Sequence, residues 1–208
     1  MMAREFAGDD WHRCFIALVP DRATRDALAA MPVGEAARRV GADQLHMTLA
    51  FLGTVPPEQG AQLAGRLSEL VAPLPPQCAQ RAEYWPSALH PRLVVVPFVA
   101  SDALSSLEAR LRALLAGLPL PVDDHRPFRP HVTLARFART ARTATSVHSH
   151  QPAPGAIVGR ERAPGAPSFE TATLQVIPRF DSLTLYSSTL ARHGARYRAL
   201  ASVAVPLA

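Results

Sequence analysis

The sequence predicts an α+β fold of two similar lobes, each a mainly antiparallel sheet backed by helices, with a central cleft between them. Two segments carry the same pattern, Leu45-His46-Met47-Thr48-Leu49 and Pro130-His131-Val132-Thr133-Leu134. A helical pattern precedes each segment, and the helices are too few for a doubly wound parallel sheet. The repeat therefore indicates two equivalent strands, one in each lobe, that face each other across the cleft.

The other elements follow from apolar periodicity and from turn and cap residues. Asp21 is expected to cap the first helix, Pro56 and Pro57 to open the second, and Ser101 with Asp102 to cap the third. Helices are predicted over residues 21–30, 56–71, 103–116 and, as a short C-terminal helix, 194–200. Strands are predicted over residues 14–19, 44–52, 77–84, 92–98, 131–137, 171–177 and 182–188.

The two repeated strands carry polar side chains on one face. Alternate side chains of a strand share a face, so His46 and Thr48 point together, and His131 and Thr133 do the same. The intervening apolar residues are expected to face the core: Leu45, Met47, Leu49 and Phe51 in the first strand, and Val132 and Leu134 in the second. Two imidazoles and two hydroxyls in one cleft predict acid–base chemistry on a phosphate.

The composition limits the classes of protein to which the chain can belong. The chain has 208 residues, 48% of them hydrophobic, enough for a substantial core, and no apolar run is long enough to span a bilayer. All 22 basic residues are Arg, and the net charge is +5; guanidinium groups suit phosphate and nucleotide partners. Cys14 and Cys78 are too few for a disulfide framework, and no signal peptide is recognised. We therefore expect a cytoplasmic monomer without a membrane partner.

Four segments together resemble the two-histidine (2H) phosphoesterase superfamily, specifically the bacterial and archaeal RNA 2′,3′-cyclic phosphodiesterases, also called 2′-5′ RNA ligases (LigT-like). They are residues 15–20, 45–53, 128–136 and 188–200. The resemblance implies one bilobal domain over residues 13–208. The departures from the family pattern are an N-terminal extension, residues 1–12 with Trp11 and His12, and a long Pro/Ala/Gly-rich loop, residues 138–168.

Roles for individual residues come from this resemblance. It implies that His46 is the proton donor, that His131 is the proton acceptor, and that Thr48, Thr133 and Arg136 bind the substrate phosphate. The implied activity is that of an RNA 2′,3′-cyclic 3′-phosphodiesterase, which forms 2′-phosphomonoesters and weakly catalyses the reverse 2′-5′ ligation. No metal and no cofactor are implied. The expected partners are RNA or nucleotides with 2′,3′-cyclic phosphate ends.

The sequence leaves two points undecided, the orientation of Arg136 and the aromatic ring that contacts the base. Strict alternation would turn Arg136 toward the core, so a strand end or a bulge after Leu134 is needed to bring it to the phosphate. The base of the substrate is expected at the rim of the cleft against an aromatic ring, either Phe51 or Phe128.

Other classes of function share some of these residues. Related chemistries are the opening of ADP-ribose cyclic phosphates and the cleavage of 2′-5′ oligonucleotides. A non-catalytic RNA-binding protein would keep the arginines but would not need both His–Thr pairs. A metal phosphodiesterase would need clustered carboxylates, whereas the motifs have only Asp43 and Asp123-Asp124 nearby.

Overall fold

The fold is taken from a computed structural model, which describes residues 11–120, 127–138, 173–191 and 194–208. Nearly all of the predicted loop 138–168 and the first ten residues lie outside these ranges. The helices are α1 (Arg22–Ala30), α2 (Pro57–Arg66) and α3 (Asp102–Ala116), with 3₁₀ turns at Ala42–Gln44 and Leu67–Glu69. The strands are β1 (Cys14–Pro20), β2 (Ala37–Arg39), β3 (Met47–Gly53), β4 (Glu83–Trp85), β5 (Leu93–Pro97), β6 (His131–Phe137), β7 (Phe180–Ala191) and β8 (Gly194–Ala204).

These strands form one antiparallel sheet that is almost divided in two. The strand order is β4-β5-β6-β3-β1-β7-β8, and β2 pairs with the C-terminal part of β6, from Ala135 to Phe137. Between β3 and β6 only one residue pair is recorded, Met47 with Val132, whereas β1 and β7 pair over six positions. We call β3, β1, β7 and β8 the β1 half, and β4, β5, β6 and β2 the β6 half. The predicted α+β class with two lobes is confirmed, and the lobes are the halves of a single sheet.

One apolar core lies on one face of both halves. Met47 and Val132 belong to it together with side chains from all three helices. The four leucines that recur on α3 are buried as their spacing predicts: Leu104, Leu107, Leu111 and Leu115. Since the helices cover this face, the opposite face of the sheet, which carries His46 and His131, is left for function; we call it the site face.

The predicted helix caps are present. The Asp21 carboxylate accepts a hydrogen bond from the Thr24 backbone N–H at 2.8 Å, and the Ser101 hydroxyl accepts one from Leu104 N–H at 3.3 Å. The guanidinium of Arg39 donates to carbonyls at the other end of α1, those of Ala29 and Met31, at 2.7 and 2.8 Å. These two hydrogen bonds connect α1 to β2, an element that the sequence did not predict.

Two predicted C-terminal elements are wrong. The short helix expected at 194–200 is the first part of β8, which pairs with β7 from Gly194 to Ala204. Tertiary pairing overrides local helix propensity here, because β7 offers a long neighbouring strand with which this segment forms a ladder. The strand expected at 171–177 is absent from its described part, residues 173–177, and β7 begins only at Phe180.

Trp11 is part of the core, although the sequence placed it in an extension. Its side chain is 1% exposed, and its carbonyl accepts a hydrogen bond from Val55 N–H at 2.9 Å. The indole ring lies on α2 at Gly60, where a Cβ atom would overlap the ring. Gly60 is therefore required by close packing rather than by its backbone conformation.

Two glycines of α2 make this packing testable. Gly60→Ala is expected to lower the free energy of unfolding by about 1–3 kcal/mol, because the added methyl group overpacks the Trp11 contact. Gly65→Ala is the matched control, since nothing lies within 4 Å of the position that its methyl group would take, and it is expected to raise that free energy by about 0.5–1 kcal/mol through helix propensity. Urea unfolding measures both; equal effects of the two substitutions would contradict the packing.

Candidate active site

The two His–Thr motifs lie side by side where the two halves of the sheet meet. Met47 and Val132, the single recorded pair between β3 and β6, are the central residues of the two motifs. Continuing this antiparallel register by one residue places His46 opposite Thr133, and His131 opposite Thr48. All four side chains are half-buried and belong to the site face. The arrangement is nearly twofold, and each histidine lies next to the threonine of the other motif.

Both imidazoles are fixed by the same backbone contact. Nδ1 of His46 lies 2.7 Å from the carbonyl oxygen of Gln44, and Nδ1 of His131 lies 2.7 Å from that of Arg129. A carbonyl oxygen only accepts, so Nδ1 donates in each case and carries a proton in both rings. Nε2 of each ring is therefore left to exchange a proton in the cleft, as a base when it is bare and as an acid when it is protonated.

A β-bulge brings Arg136 to the site face. Val95 pairs with Thr133 and Val94 with Ala135, so Leu134 is an extra residue in β6. Leu134 and Ala135 are both buried, whereas Arg136 is exposed and its charge acts on both His131 and His46. Of the two alternatives that the sequence left open for Arg136, a strand end or a bulge after Leu134, the structure has a bulge.

The first motif has an equivalent bulge, which the sequence did not predict. Ala17 pairs with Thr48 and Ile16 with Ala50, so Leu49 is the extra residue in β3. The prediction that Phe51 faces the core is therefore wrong: its side chain is 69% exposed and its ring lies 6.3 Å from that of Phe15. Phe51 and Arg136 occupy the same position in the two motifs, five residues after the histidine.

Aromatic rings of the β1 half surround His46. The ring centroids of Phe15 and Tyr197 lie 4.9 and 5.2 Å from the imidazole, and that of Tyr186 lies at 6.3 Å. The pKa of His46 is lowered to about 4, mainly by burial; the charges of Arg136 and His131 act in the same direction, and the bond to the Gln44 carbonyl opposes them. His46 is therefore neutral at pH 7 in the free protein.

His131 has different neighbours. The ring of Trp85 lies 4.5 Å from its imidazole, and the guanidinium of Arg129 lies 4.1 Å from the centre of the Trp85 ring. Burial lowers the pKa of His131, and the positive charges of Arg129 and Arg136 act in the same direction, whereas the bond to the Arg129 carbonyl raises it. Both imidazoles thus lose protons because of burial and nearby positive charge. An anion bound between them would reverse the electrostatic part of both shifts.

The remaining predicted residue is Phe128, and its ring packs partly against the hydrophobic core. The aromatic neighbours of the two histidines were not predicted as site residues. Phe15 and Tyr197 lie within segments that resemble the family, so a signal for them existed, whereas Trp85 stands in no recognisable motif. Within the described ranges, no cluster of three or more His, Cys, Asp or Glu side chains could hold a metal ion, and no helix is long and apolar enough to cross a membrane.

Comparison with known proteins identifies similar solved structures. Among solved structures, the chain is similar to a phosphoesterase with 27% identity, a TM-score of 0.62, and coverage of 94% of this chain and 99% of the other. TT0787 of Thermus thermophilus is 25% identical with a TM-score of 0.61 and coverage of 94% and 98%. LigT of E. coli, in a complex with 3′-AMP, is 28% identical with a TM-score of 0.59 and coverage of 93% and 98%. No match is found among curated proteins.

A family match covers most of the chain. Residues 21–160 match the family model of the 2′-5′ RNA ligase superfamily. This range contains both histidines, both threonines and the two bulges that shape the site face. The chain therefore belongs to the 2′-5′ RNA ligase superfamily.

Proposed function

We propose that the protein hydrolyses 2′,3′-cyclic phosphates at the ends of RNA or of nucleotides to 2′-phosphomonoesters. The observation that carries this proposal is the pair of imidazoles on adjoining strands, each with Nδ1 held by a backbone carbonyl at 2.7 Å and Nε2 left for proton transfer. A phosphodiester that opens by in-line attack needs a base on one side and an acid on the other. The two histidines provide both functions.

In the proposed reaction, His131 accepts a proton through Nε2 from the attacking water. The new bond forms between the water oxygen and phosphorus, and the bond from phosphorus to O3′ breaks on the opposite side. His46 donates a proton through Nε2 to O3′, which leaves the phosphate on O2′. The hydroxyls of Thr48 and Thr133 donate to the non-bridging oxygens, and Arg136 balances the negative charge that these oxygens gain.

His46, the proposed acid, acquires its proton when the substrate binds. The pKa of His46 in the free protein is about 4, so the ring is uncharged at neutral pH. A bound phosphate adds negative charge beside it and also offsets Arg136, and both effects raise this pKa. Substrate binding and protonation of His46 are therefore coupled, and protonated His46 is stabilised only when a phosphate is present.

An aromatic side chain on the site face can stack against the base of the substrate. Phe51 is exposed there, whereas Phe128 packs partly against the core, so we propose Phe51 for this role. Solved structures of E. coli LigT contain 3′-AMP, ATP and NADP⁺, which supports nucleotides as the ligand class for a related site. We further propose that the protein acts in the cytoplasm as a monomer, with Cys14 and Cys78 as free thiols.

Both histidines are expected to be indispensable. His46→Ala and His131→Ala should each lower kcat for 2′,3′-cyclic AMP by about two orders of magnitude or more, because each removes one of two proton transfers. The exposed His90 is the control, and His90→Ala should leave kcat within about twofold of the original. Circular dichroism checks that the variants are folded. Full activity in either site variant would contradict the mechanism.

The pH profile follows from the lowered pKa values. kcat/KM reports the free protein, and it requires one neutral and one protonated imidazole. Its maximum should lie between about pH 4, the pKa of His46, and pH 6.5, the ordinary value from which that of His131 is lowered. The profile of kcat should move to higher pH because bound phosphate raises both pKa values. A maximum of kcat/KM above pH 7.5 would be incompatible with this site.

The bond that breaks identifies the roles of the two histidines. With His46 as the acid at O3′, 2′,3′-cyclic AMP is expected to give 2′-AMP, and activity should persist in excess EDTA because proton transfer uses imidazoles. Chromatography resolves 2′-AMP from 3′-AMP. Predominant 3′-AMP would reverse the assignment of donor and acceptor, and a loss of activity restored by Zn²⁺ or Mn²⁺ would indicate metal chemistry.

A further inference from the structure

A groove of about 480 Å³ opens beside His131, at the end of the sheet formed by β4 and β5. Its walls include Glu83, Trp85, Arg92 and Arg129, and we call it the Trp85 groove. Trp85 and Leu93 are paired across β4 and β5, and Leu93 is in turn paired with Arg136 on β6. The groove is therefore continuous with the site face.

Trp85 links the groove to the proposed reaction centre. Its ring lies 4.5 Å from the imidazole of His131, and the same side chain lines the groove. No comparable aromatic contact to this groove is recorded for His46, whose ring neighbours among the described residues are Phe15, Tyr186 and Tyr197. A molecule in the Trp85 groove would thus approach phosphorus from the side of His131.

The groove has the chemistry of a nucleotide site. Arg129 lies over the Trp85 ring at 4.1 Å, which gives a layered, planar and cationic surface on which a base can stack. Arg92 stands at the same wall and can pair with a phosphate. The Glu83 carboxylate accepts from the indole N–H of Trp85 and has further lone pairs for a sugar hydroxyl or a base amine.

We propose that the Trp85 groove binds the nucleotide that provides a 5′-hydroxyl as the attacking group, in place of water. This inference rests on the proposed function, because it takes His131 as the base on the attacking side. The 5′-hydroxyl oxygen bonds to phosphorus and gives its proton to His131, while the bond from phosphorus to O3′ breaks and O3′ takes a proton from His46. The product is a 2′-5′ phosphodiester, and no other reactant is needed.

The reverse reaction gives a direct assay for the groove. In the 2′-5′-linked dinucleotide ApAp, the second nucleotide carries a 3′-phosphate and would occupy the Trp85 groove. Attack by the first nucleotide's O3′ releases the second as 3′-AMP, with His46 as base and His131 as acid. 2′,3′-Cyclic AMP contains only the first nucleotide, so it reports the reaction centre without the groove.

A comparison of the two substrates distinguishes binding of the second nucleotide in the groove from a general loss of activity. Arg92→Gln should raise KM for release of 3′-AMP from ApAp by about threefold to fivefold, the effect of one exposed ion pair, and leave hydrolysis of 2′,3′-cyclic AMP unchanged. Arg22→Gln removes the same charge from α1, outside the groove, and should change neither reaction. Trp85→Leu should lower the ratio of kcat/KM for ApAp to that for 2′,3′-cyclic AMP by about tenfold, and Trp85→Phe should largely restore it.

The outcomes distinguish this inference from the function on which it rests. If Arg92→Gln and Trp85→Leu change both substrates equally, or change neither, the groove does not bind the second nucleotide. Hydrolysis of 2′,3′-cyclic AMP without any release of 3′-AMP from ApAp would also overturn the proposed role of the groove but leave the proposed function intact. Inactivity of the unaltered protein toward both substrates would overturn the proposed function and the role of the groove together.

Discussion

The single pairing of Met47 with Val132 is the constraint on which the rest of the structure depends. Each side chain of the pair is fully buried, so the two halves of the sheet share one core at this point. The recorded pairing ends with this pair, and the flanking polar residues remain half-buried on the site face. A longer ladder between β3 and β6 would occupy the backbone on both sides and bring the two halves into one continuous surface. The short contact therefore joins the halves and leaves a cleft.

The electrostatics of the cleft follow from the same geometry. Two half-buried imidazoles and an exposed Arg136 converge there, and burial together with positive charge lowers the pKa of both rings, which favours their neutral forms. Burial removes part of the water that would stabilise a positively charged ring there, and the neighbouring guanidinium charge opposes such a ring. In the proposed function the substrate phosphate provides a counter-charge. The group to be cleaved then brings the acid into its protonated form, and the protein need not hold a charged imidazole in advance.

Local patterns in the sequence were sufficient for the parts of the fold that depend on local rules. Alternation placed His46 with Thr48 and His131 with Thr133. The disagreement between alternation and Arg136 indicated an irregularity after Leu134, either a strand end or a bulge, and the structure has a bulge. The equivalent bulge at Leu49 was missed because an apolar residue such as Phe51 raised no such conflict. The C-terminal strand β8 was missed because its pairing with β7 is a tertiary interaction. Trp85 was missed because its proximity to His131 depends on β4 and β5 lying beside β6.

The two motifs are equivalent in backbone and different in surroundings, and this difference separates their proposed roles. Both have a histidine bound to the carbonyl two residues earlier, a threonine, and a bulge, but the fifth residue after the histidine is Phe51 in one and Arg136 in the other. The apolar ring belongs to the half in which aromatic side chains surround His46, a setting suited to a nucleoside. The guanidinium belongs to the half in which the charges of Arg129 and Arg136 both act on His131, a setting suited to the phosphate. A symmetric pair of strands can thus bind an asymmetric substrate in one orientation, because each half recognises a different part of it.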